Sequence, residues 1–101
     1  MNVLKEAGEI ERLIDEFKND LYVGGAEDAV LRDKAKEIFE RIDETIQILG
    51  GNSVVTQLLK GTRKDFENFV IDVYRNRHAP ELKKFYFLYK KKHPQQAFVT
   101  A

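Results

Sequence analysis

The sequence lacks, or has few of, the residues that carry most covalent and metal chemistry in proteins. Its 101 residues include no cysteine, no tryptophan, two histidines and two prolines. The absence of cysteine excludes disulfides, thiolate nucleophiles and cysteine-ligated zinc or iron–sulfur sites. No apolar run approaches the ~20 residues of a transmembrane helix, and acidic residues throughout positions 1–17 are unlike a signal or transit peptide. We therefore expect a cytoplasmic protein.

The remaining side chains that could perform catalysis are poorly placed for it. His78 and His93 stand 15 residues apart, each close to a proline, and no Glu-x-x-His or His-x-x-x-His spacing occurs. Ser53 is the one serine, lies outside any G-x-S-x-G pattern, and is better interpreted as a helix cap. The stretch LLKGTRKD at 58–65 does not follow the P-loop order. We expect no enzyme activity, no cofactor and no metal site.

Apolar residues at helical spacing are, by contrast, abundant. Three stripes with the spacing 4-3-4-3-4 each predict one amphipathic helix. The glycine-containing segments VGGAED (23–28) and GGNS (50–53) separate the stripes, and RNRHAP (75–80) closes the third. The stripes are Val3, Ala7, Ile10, Ile14, Phe17 and Leu21; Leu31, Ala35, Ile38, Ile42, Thr45 and Leu49; and Val55, Leu59, Thr62, Phe66, Phe69 and Val73.

These signals predict four helices with short connections. Pro80 suits the first residue of the fourth helix. The sequence therefore predicts an all-α, single-domain, antiparallel up-and-down four-helix bundle. The predicted helices span about 3–22, 27–49, 53–77 and 80–92, and residues 94–101 are predicted to form a mobile tail.

Gly61 lies inside the third predicted helix. A glycine there costs about 1 kcal/mol relative to alanine, and Thr62 with Asp65 resembles a capping box. We expect a continuous but weakened helix, with a kink or restart at Gly61 as the alternative.

The charges are divided unevenly between the two halves of a chain whose net charge is zero. Residues 1–50 carry 7 Lys and Arg against 13 Asp and Glu, whereas residues 51–101 carry 10 against 4. The halves are thus at −6 and +6. Such blocks can attract each other within one fold, which is our main interpretation, or present a charged docking face.

The segment KKFYFLYKKK (83–92) places five consecutive apolar residues between lysines. One helix face can hold Leu82, Phe85, Tyr86 and Tyr89, so we expect Leu82, Phe85 and Tyr89 to pack inward and Phe87, with Leu88, to point away. Five apolar positions in a row exceed what one face can hide. The run therefore predicts either a wide buried sector or an exposed aromatic patch of the kind that marks interaction sites.

We infer that the basic, aromatic second half binds a protein partner, because such residues are favoured at interfaces. Tyr74 joins the candidates because it flanks the third stripe in FVIDVY (69–74). The predicted partner-binding residues are Phe87, Leu88, Tyr74, Lys83, Lys84, Lys90, Lys91 and Lys92.

A nucleic-acid-binding or regulatory adaptor role is the main alternative. The second half is basic and interleaved with aromatics, as in single-strand binders. The sequence pI of about 6.7 and the lack of a helix-turn-helix signature speak against it. Peripheral membrane contact is a further alternative, because lysines flank the aromatic run. For the nucleic-acid alternative, the basic residues of the second half are, besides the predicted partner-binding lysines, Lys60, Arg63, Lys64, Arg75 and Arg77.

The layout of residues 9–92 resembles the small four-helix bacteriocin immunity proteins of the enterocin A immunity family. The resemblance lies in the apolar spacing, in GGNSVVTQLLKGTRKDF (50–66), and in NRHAPELKKFYFLYKKK (76–92), where a proline opens a helix with a Leu–aromatic face. It implies a cytosolic protein without catalysis that protects the producing cell by binding a membrane receptor–bacteriocin assembly. It further implies that the C-terminal half sets specificity. This chain is neutral overall, whereas that family is often strongly basic.

Overall fold

The computed structural model describes residues 2–51 and 53–93. These residues form four α-helices: α1 (Val3–Tyr22), α2 (Asp28–Leu49), α3 (Val54–Asn76) and α4 (Pro80–Lys92). The described residues contain no strand. The predicted all-α four-helix bundle is confirmed, and each observed helix end lies within one residue of the predicted one. The tail predicted at 94–101 lies outside the described residues.

Local capping explains where the helices begin and end. Asn2 and Ser53 accept hydrogen bonds from the backbone N–H groups of Lys5 (3.1 Å) and Thr56 (3.0 Å), which caps α1 and α3. Gly50 ends α2 with φ +81°, a conformation that favours glycine. Ser53 therefore has the capping role that the sequence suggested.

The helices are arranged around a central pair, α2 and α3. Helix α1 packs on one side of this pair and α4 on the other, and within the described residues α1 and α4 do not touch each other. Consecutive helices run antiparallel, so α2 and α4 are parallel neighbours. Two contacts fix the direction of each consecutive pair of helices. They are Glu6–Arg41 and Glu16–Lys34 between α1 and α2, Phe39–Phe66 and Asp43–Arg63 between α2 and α3, and Glu67–Lys90 and Tyr74–Phe87 between α3 and α4.

Three phenylalanines, one from each long helix, form the centre of the core. The rings of Phe17 and Phe39 lie 5.2 and 5.1 Å from that of Phe66, and all three side chains are buried. Phe39 also stacks on Tyr89 of α4, with ring centroids 4.5 Å apart. This cluster therefore ties all four helices to one apolar centre.

Helix α3 buries a wider sector than its predicted stripe. Leu59, Phe66 and Val73 are buried as expected, but Thr56, Arg63 and Val70 are also buried, whereas Val55, Thr62 and Phe69 are only partly covered. The prediction was therefore wrong about which neighbours of the central stripe lie deepest. The reason is that α3 packs against three helices, so more than one of its faces is covered.

Helix α3 is continuous through Gly61, so the alternative of a restart at that residue is wrong. Gly61 is exposed, and a Cβ atom there would meet nothing within 4 Å. The packing of α3 outweighs the ~1 kcal/mol propensity cost of one glycine.

Candidate functional site

The amino terminus of α4 is held by a residue from another helix. Ala79 stands at the N-cap of α4 and has no side chain able to cap it. The carboxylate of Asp28, the first residue of α2, accepts hydrogen bonds from the N–H groups of Glu81 (2.7 Å) and Leu82 (3.1 Å). Asp28 therefore supplies the cap that α4 lacks in its own sequence, with the negative charge at the favourable end of the helix.

A polar junction between α2, α3 and α4 fixes the middle of α4. The Tyr89 hydroxyl donates to Asp43 Oδ2 (2.6 Å), and Arg63 Nη1 donates to Asp43 Oδ1 (2.7 Å). Burial, followed by the hydrogen bond to Asp43, raises the pKa of the Tyr89 hydroxyl. The buried Arg63 is thus a structural ion-pair partner, and it is not exposed as the nucleic-acid alternative would require.

A second tyrosine makes a parallel contact between α3 and α4. The Tyr86 hydroxyl donates to Glu67 Oε2 (3.1 Å), and Lys90 Nζ lies 3.1 Å from the same oxygen. Burial, followed by the charge of Glu67, raises the pKa of Tyr86. The predicted binding residue Lys90 is therefore engaged in an intramolecular ion pair.

These bonds set the rotation of α4, which differs in one respect from the expected one. Leu82 and Tyr89 are buried as expected, and Tyr86 is buried too. Phe85, which we expected to pack inward, is only partly buried, with its ring 6.1 Å from that of Phe39. Phe85 is therefore less buried than we expected. The reason is that the buried sector of α4 is turned toward α3, where the Tyr86 hydroxyl finds Glu67.

Phe87 and Leu88 are both half-exposed, at 54% and 51%. They lie on different sides of the exposed surface of α4, as their different neighbours show. The Phe87 ring lies edge-on to that of Tyr74, with centroids 6.0 Å apart, whereas Leu88 lines a groove against α2. The predicted binding residues therefore divide into two surfaces.

The first surface, here called the aromatic patch, consists of Tyr74, Lys83 and Phe87. Lys83 Nζ lies 5.9 Å from the centre of the Tyr74 ring and 5.7 Å from that of Phe87. Tyr74 is partly buried against the core, so the tyrosine ring that contacts Phe87 is held in position. Two aromatic rings and a cation thus hold one another in place before any partner arrives.

Lysines surround Phe87 on the surface of α4. The helix-surface neighbours of a residue stand three and four positions away in each direction. For Phe87 these positions are Lys83, Lys84, Lys90 and Lys91. Other exposed apolar side chains lie at one end of the bundle, at Leu4, Ile48, Val54 and Leu58, and near the α1–α2 connection, at Tyr22, Val23 and Val30. Tyr22 is the aromatic among these seven, and its ring lies 6.2 Å from that of Phe69.

The second surface is the α2–α4 groove, a depression of about 670 Å³ between the two parallel helices. Lys84, Leu88 and Lys92 line it from α4, and Phe85 and Tyr89 form its apolar floor. Glu40 and Glu44 line it from α2. Sequence reasoning missed the contribution of α2, because no sequence signal shows that α4 lies beside α2.

No protein-family model matches this chain, and no curated protein or solved structure shows a significant match to it. Among the described residues, no group of three or more His, Asp or Glu side chains could hold a metal ion. None of the four helices is both long and apolar enough to cross a membrane.

Proposed function

We propose that this chain is a non-catalytic, cytosolic protein-binding module that holds a partner protein through the aromatic patch. The observation that carries the proposal is Phe87, an aromatic side chain left half-exposed beside Tyr74 and surrounded by lysines. Leaving a Phe ring in water is unfavourable. Aromatic side chains in such positions are typical anchors of protein interfaces.

The partner is expected to offer an apolar pocket with an acidic rim. The pocket would receive the Phe87 ring, and carboxylates around it would face Lys83, Lys84 and Lys91. Because Tyr74 and Lys83 already restrain Phe87, little side-chain entropy would be lost on binding. The acidic rim would speed and orient association more than it would strengthen the final complex.

The resemblance to bacteriocin immunity proteins names the most concrete version of this function. In that version the chain protects the cell that produces it by binding a membrane receptor–bacteriocin assembly. The test is expression of the chain in a bacteriocin-sensitive lactic acid bacterium, followed by challenge with a panel of bacteriocins. Survival against one of them with wild-type chain, and loss of survival with Phe87→Ala, would support this version. Equal killing of cells with and without the chain by every bacteriocin would contradict it.

The test of partner binding compares two neighbouring side chains of equal exposure. Proteins retained by the tagged wild-type chain are compared with those retained by Phe87→Ala and by Leu88→Ala. We then titrate the isolated partner and expect Phe87→Ala to weaken binding at least about fivefold, which corresponds to roughly 1 kcal/mol. Leu88→Ala should bind as the wild type does. Equal binding by all three chains would overturn the aromatic patch as the interface.

Salt dependence separates this function from nucleic-acid binding. A chain that neutralises several phosphates loses orders of magnitude in affinity between low and moderate salt, whereas an aromatic anchor is much less sensitive. The internal ion pairs of Arg63 and Lys90 already engage part of the basic charge of the second half. Tight, steeply salt-dependent binding of a single-stranded oligonucleotide would favour the adaptor alternative, and binding to anionic vesicles would favour peripheral membrane contact.

A further inference from the structure

The walls of the α2–α4 groove carry opposite charges that do not meet. Glu40 and Glu44 form an acidic wall on α2, and Lys84 and Lys92 form a basic wall on α4; all four side chains are exposed. Within the described residues the ion pair that joins the two helices is Arg32–Glu81, at one end of the groove (3.0 Å). The rings of Phe85 and Tyr89 lie between the walls. Between Glu40 and Glu44 on α2 and between Lys84 and Lys92 on α4, the groove is thus an apolar strip with one acidic side and one basic side, whereas Arg32, Lys36 and Glu81 give its other end mixed charges.

An occupant that complements this groove needs an apolar ridge with lysines facing α2. The outer ridge of α4 has this composition, because Leu88 stands one helical turn from Lys84 and one from Lys92. Leu88 is half-exposed, so it is available for such a contact. The ridge on α4 therefore complements the groove of which α4 forms one wall.

The heights of the charges along the two helices also agree. Phe39 stacks on Tyr89 and lies near Phe85, Asp43 binds Tyr89, and Arg32 pairs with Glu81, so each α2 residue is level with the α4 residues numbered 46–50 higher. Glu40 is thus level with positions 86–90 and Glu44 with positions 90–94. Lys92 lies within the positions level with Glu44, and Glu40 is level with the segment between Lys84 and Lys92, within about one helical turn of both.

We propose that two copies of this chain form a symmetric dimer in which α4 of each copy lies in the α2–α4 groove of the other. A two-fold axis parallel to the helices keeps every residue at its own height and exchanges the two walls. Lys84 and Lys92 of each copy then face Glu40 and Glu44 of the other, and the two Leu88 side chains meet at the centre. Such an interface is closed and self-complementary.

The matched charges are confined to one part of the groove. Lys36 also lines the α2 side, one turn before Glu40, and is level with positions 82–86, which include Lys83 and Lys84. Glu81 is already paired with Arg32 of its own chain. The proposed interface therefore depends on the pairing of Glu40 and Glu44 with Lys84 and Lys92.

The dimer is expected to be weak and sensitive to salt. Helix α4 has 13 residues and is about 20 Å long, so the interface is at the small end of specific protein interfaces. Sedimentation equilibrium on the chain between about 10 µM and 1 mM should show a monomer–dimer equilibrium. Raising the salt concentration should shift the equilibrium toward monomer, because the charges at the rim become screened.

The decisive experiment reverses one wall at a time. The variant E40K/E44K has two basic walls, and the variant K84E/K92E has two acidic walls. Each variant alone should remain monomeric at concentrations where the wild type dimerises. An equimolar mixture should form a heterodimer, since every wall then faces its opposite. Rescue by mixing requires that the walls meet between chains, because a repulsion inside one chain would not be relieved by a second chain.

A smaller substitution keeps the proposal testable if a reversed wall prevents folding. Leu88→Asp places a charge at the centre of the proposed interface and should abolish the dimer, whereas Phe87→Asp, of matched exposure, should leave it intact. Circular dichroism melts confirm that each variant is folded. A wild type that is monomeric at 1 mM in low salt would overturn the proposal, as would a dimer that survives Leu88→Asp. Equally, variants that dimerise alone, or whose mixture stays monomeric, would show that another surface or another occupant, such as an amphipathic helix of a partner, is involved.

The dimer proposal stands apart from the proposed function. Partner binding depends on Phe87, and dimerisation depends on Leu88. Lys84 borders both surfaces, so the two proposals are separated by substitutions at Phe87 and Leu88 and not by reversal of the basic wall.

Discussion

Helices α1 and α4 occupy opposite sides of the α2–α3 pair and are held there by different forces. Helix α1 is 20 residues long and buries four large apolar side chains, Ile10, Leu13, Phe17 and Leu21. Its polar contacts with α2, such as Lys34 with Glu16, are partly exposed ion pairs. Helix α4 is 13 residues long and buries one leucine and two tyrosines.

The short helix compensates for its small apolar area with directed hydrogen bonds. Its amino terminus binds Asp28, and its two tyrosine hydroxyls bind Glu67 and Asp43. Apolar burial is non-directional, so it fixes the depth of a helix better than its rotation. Hydrogen bonds specify a position, because an unpaired buried partner is costly. The rotation of α4, and with it the position of Phe87 and Leu88, therefore depends on polar bonds.

The largest effect is expected where α1 meets the core. Phe17→Ala removes a fully buried ring that contacts Phe66 and should lower the free energy of unfolding by about 3–5 kcal/mol. Leu4→Ala on the same helix is the control, because Leu4 is 78% exposed and should change stability by no more than about 0.5 kcal/mol. Urea denaturation measures both. Similar losses for the two variants would mean that α1 is not held by apolar burial.

The next effect tests the polar junction. Asp43→Ala leaves Arg63 and Tyr89 without their common partner and should cost about 3 kcal/mol. Glu37→Ala, an exposed change on the same helix, should be nearly neutral. A loss of less than about 1 kcal/mol in urea denaturation would show that the junction contributes no more than a surface ion pair.

Asp28→Ala should cost about 1–2 kcal/mol, because it removes the cap of α4. The neighbouring Glu27→Ala is a matched control, since the Glu27 side chain makes no capping bond. Amide hydrogen exchange should show faster exchange at Glu81 and Leu82 in Asp28→Ala than in the control. Unchanged exchange at these two amides would contradict the capping role.

Tyr89→Phe should cost about 1 kcal/mol at neutral pH, the typical net value of one hydrogen bond. Its second effect lies at alkaline pH. The pKa of Tyr89 is higher in the folded chain than the usual value of about 10 in the unfolded chain, so folding loses stability as the pH rises above 10. Urea denaturation at several alkaline pH values should show a shallower loss for Tyr89→Phe. Equal slopes for the two proteins would show that Tyr89 does not titrate differently on folding.

The smallest effect is expected for the ion pairs of α1. Lys34→Ala removes contacts with Glu16 and Asp20 on a solvated surface and should cost less than about 1 kcal/mol. The difference from the wild type should shrink in high salt. A cost as large as that of Asp43→Ala would break the contrast between α1 and α4, because surface charge would then hold α1 as strongly as the buried junction holds α4.

Much of the fold could be predicted from the sequence, because its signals are local. The glycines at 24–25 and 50–51, the cap Ser53 and Pro80 mark helix ends whatever the rest of the chain does. The candidate site was predicted less well. Helical spacing placed Phe87 and Leu88 on the exposed surface of α4, but it grouped them as one surface and placed Phe85 too deep.

By itself, the sequence determined the number, type and limits of the helices and the identity of most core residues, since these follow from periodicity and capping within one segment. The tertiary structure decided which helices are neighbours, because adjacency depends on contacts between residues far apart in the chain. The parallel pairing of α2 and α4 gives Asp28 an amino terminus to cap and places Glu40 and Glu44 across a groove from Lys84 and Lys92, and the antiparallel pairing of α2 and α3 buries Arg63 beside Asp43. Each of these contacts joins residues at least 20 positions apart, and no local pattern encodes which of many equally charged residues will meet.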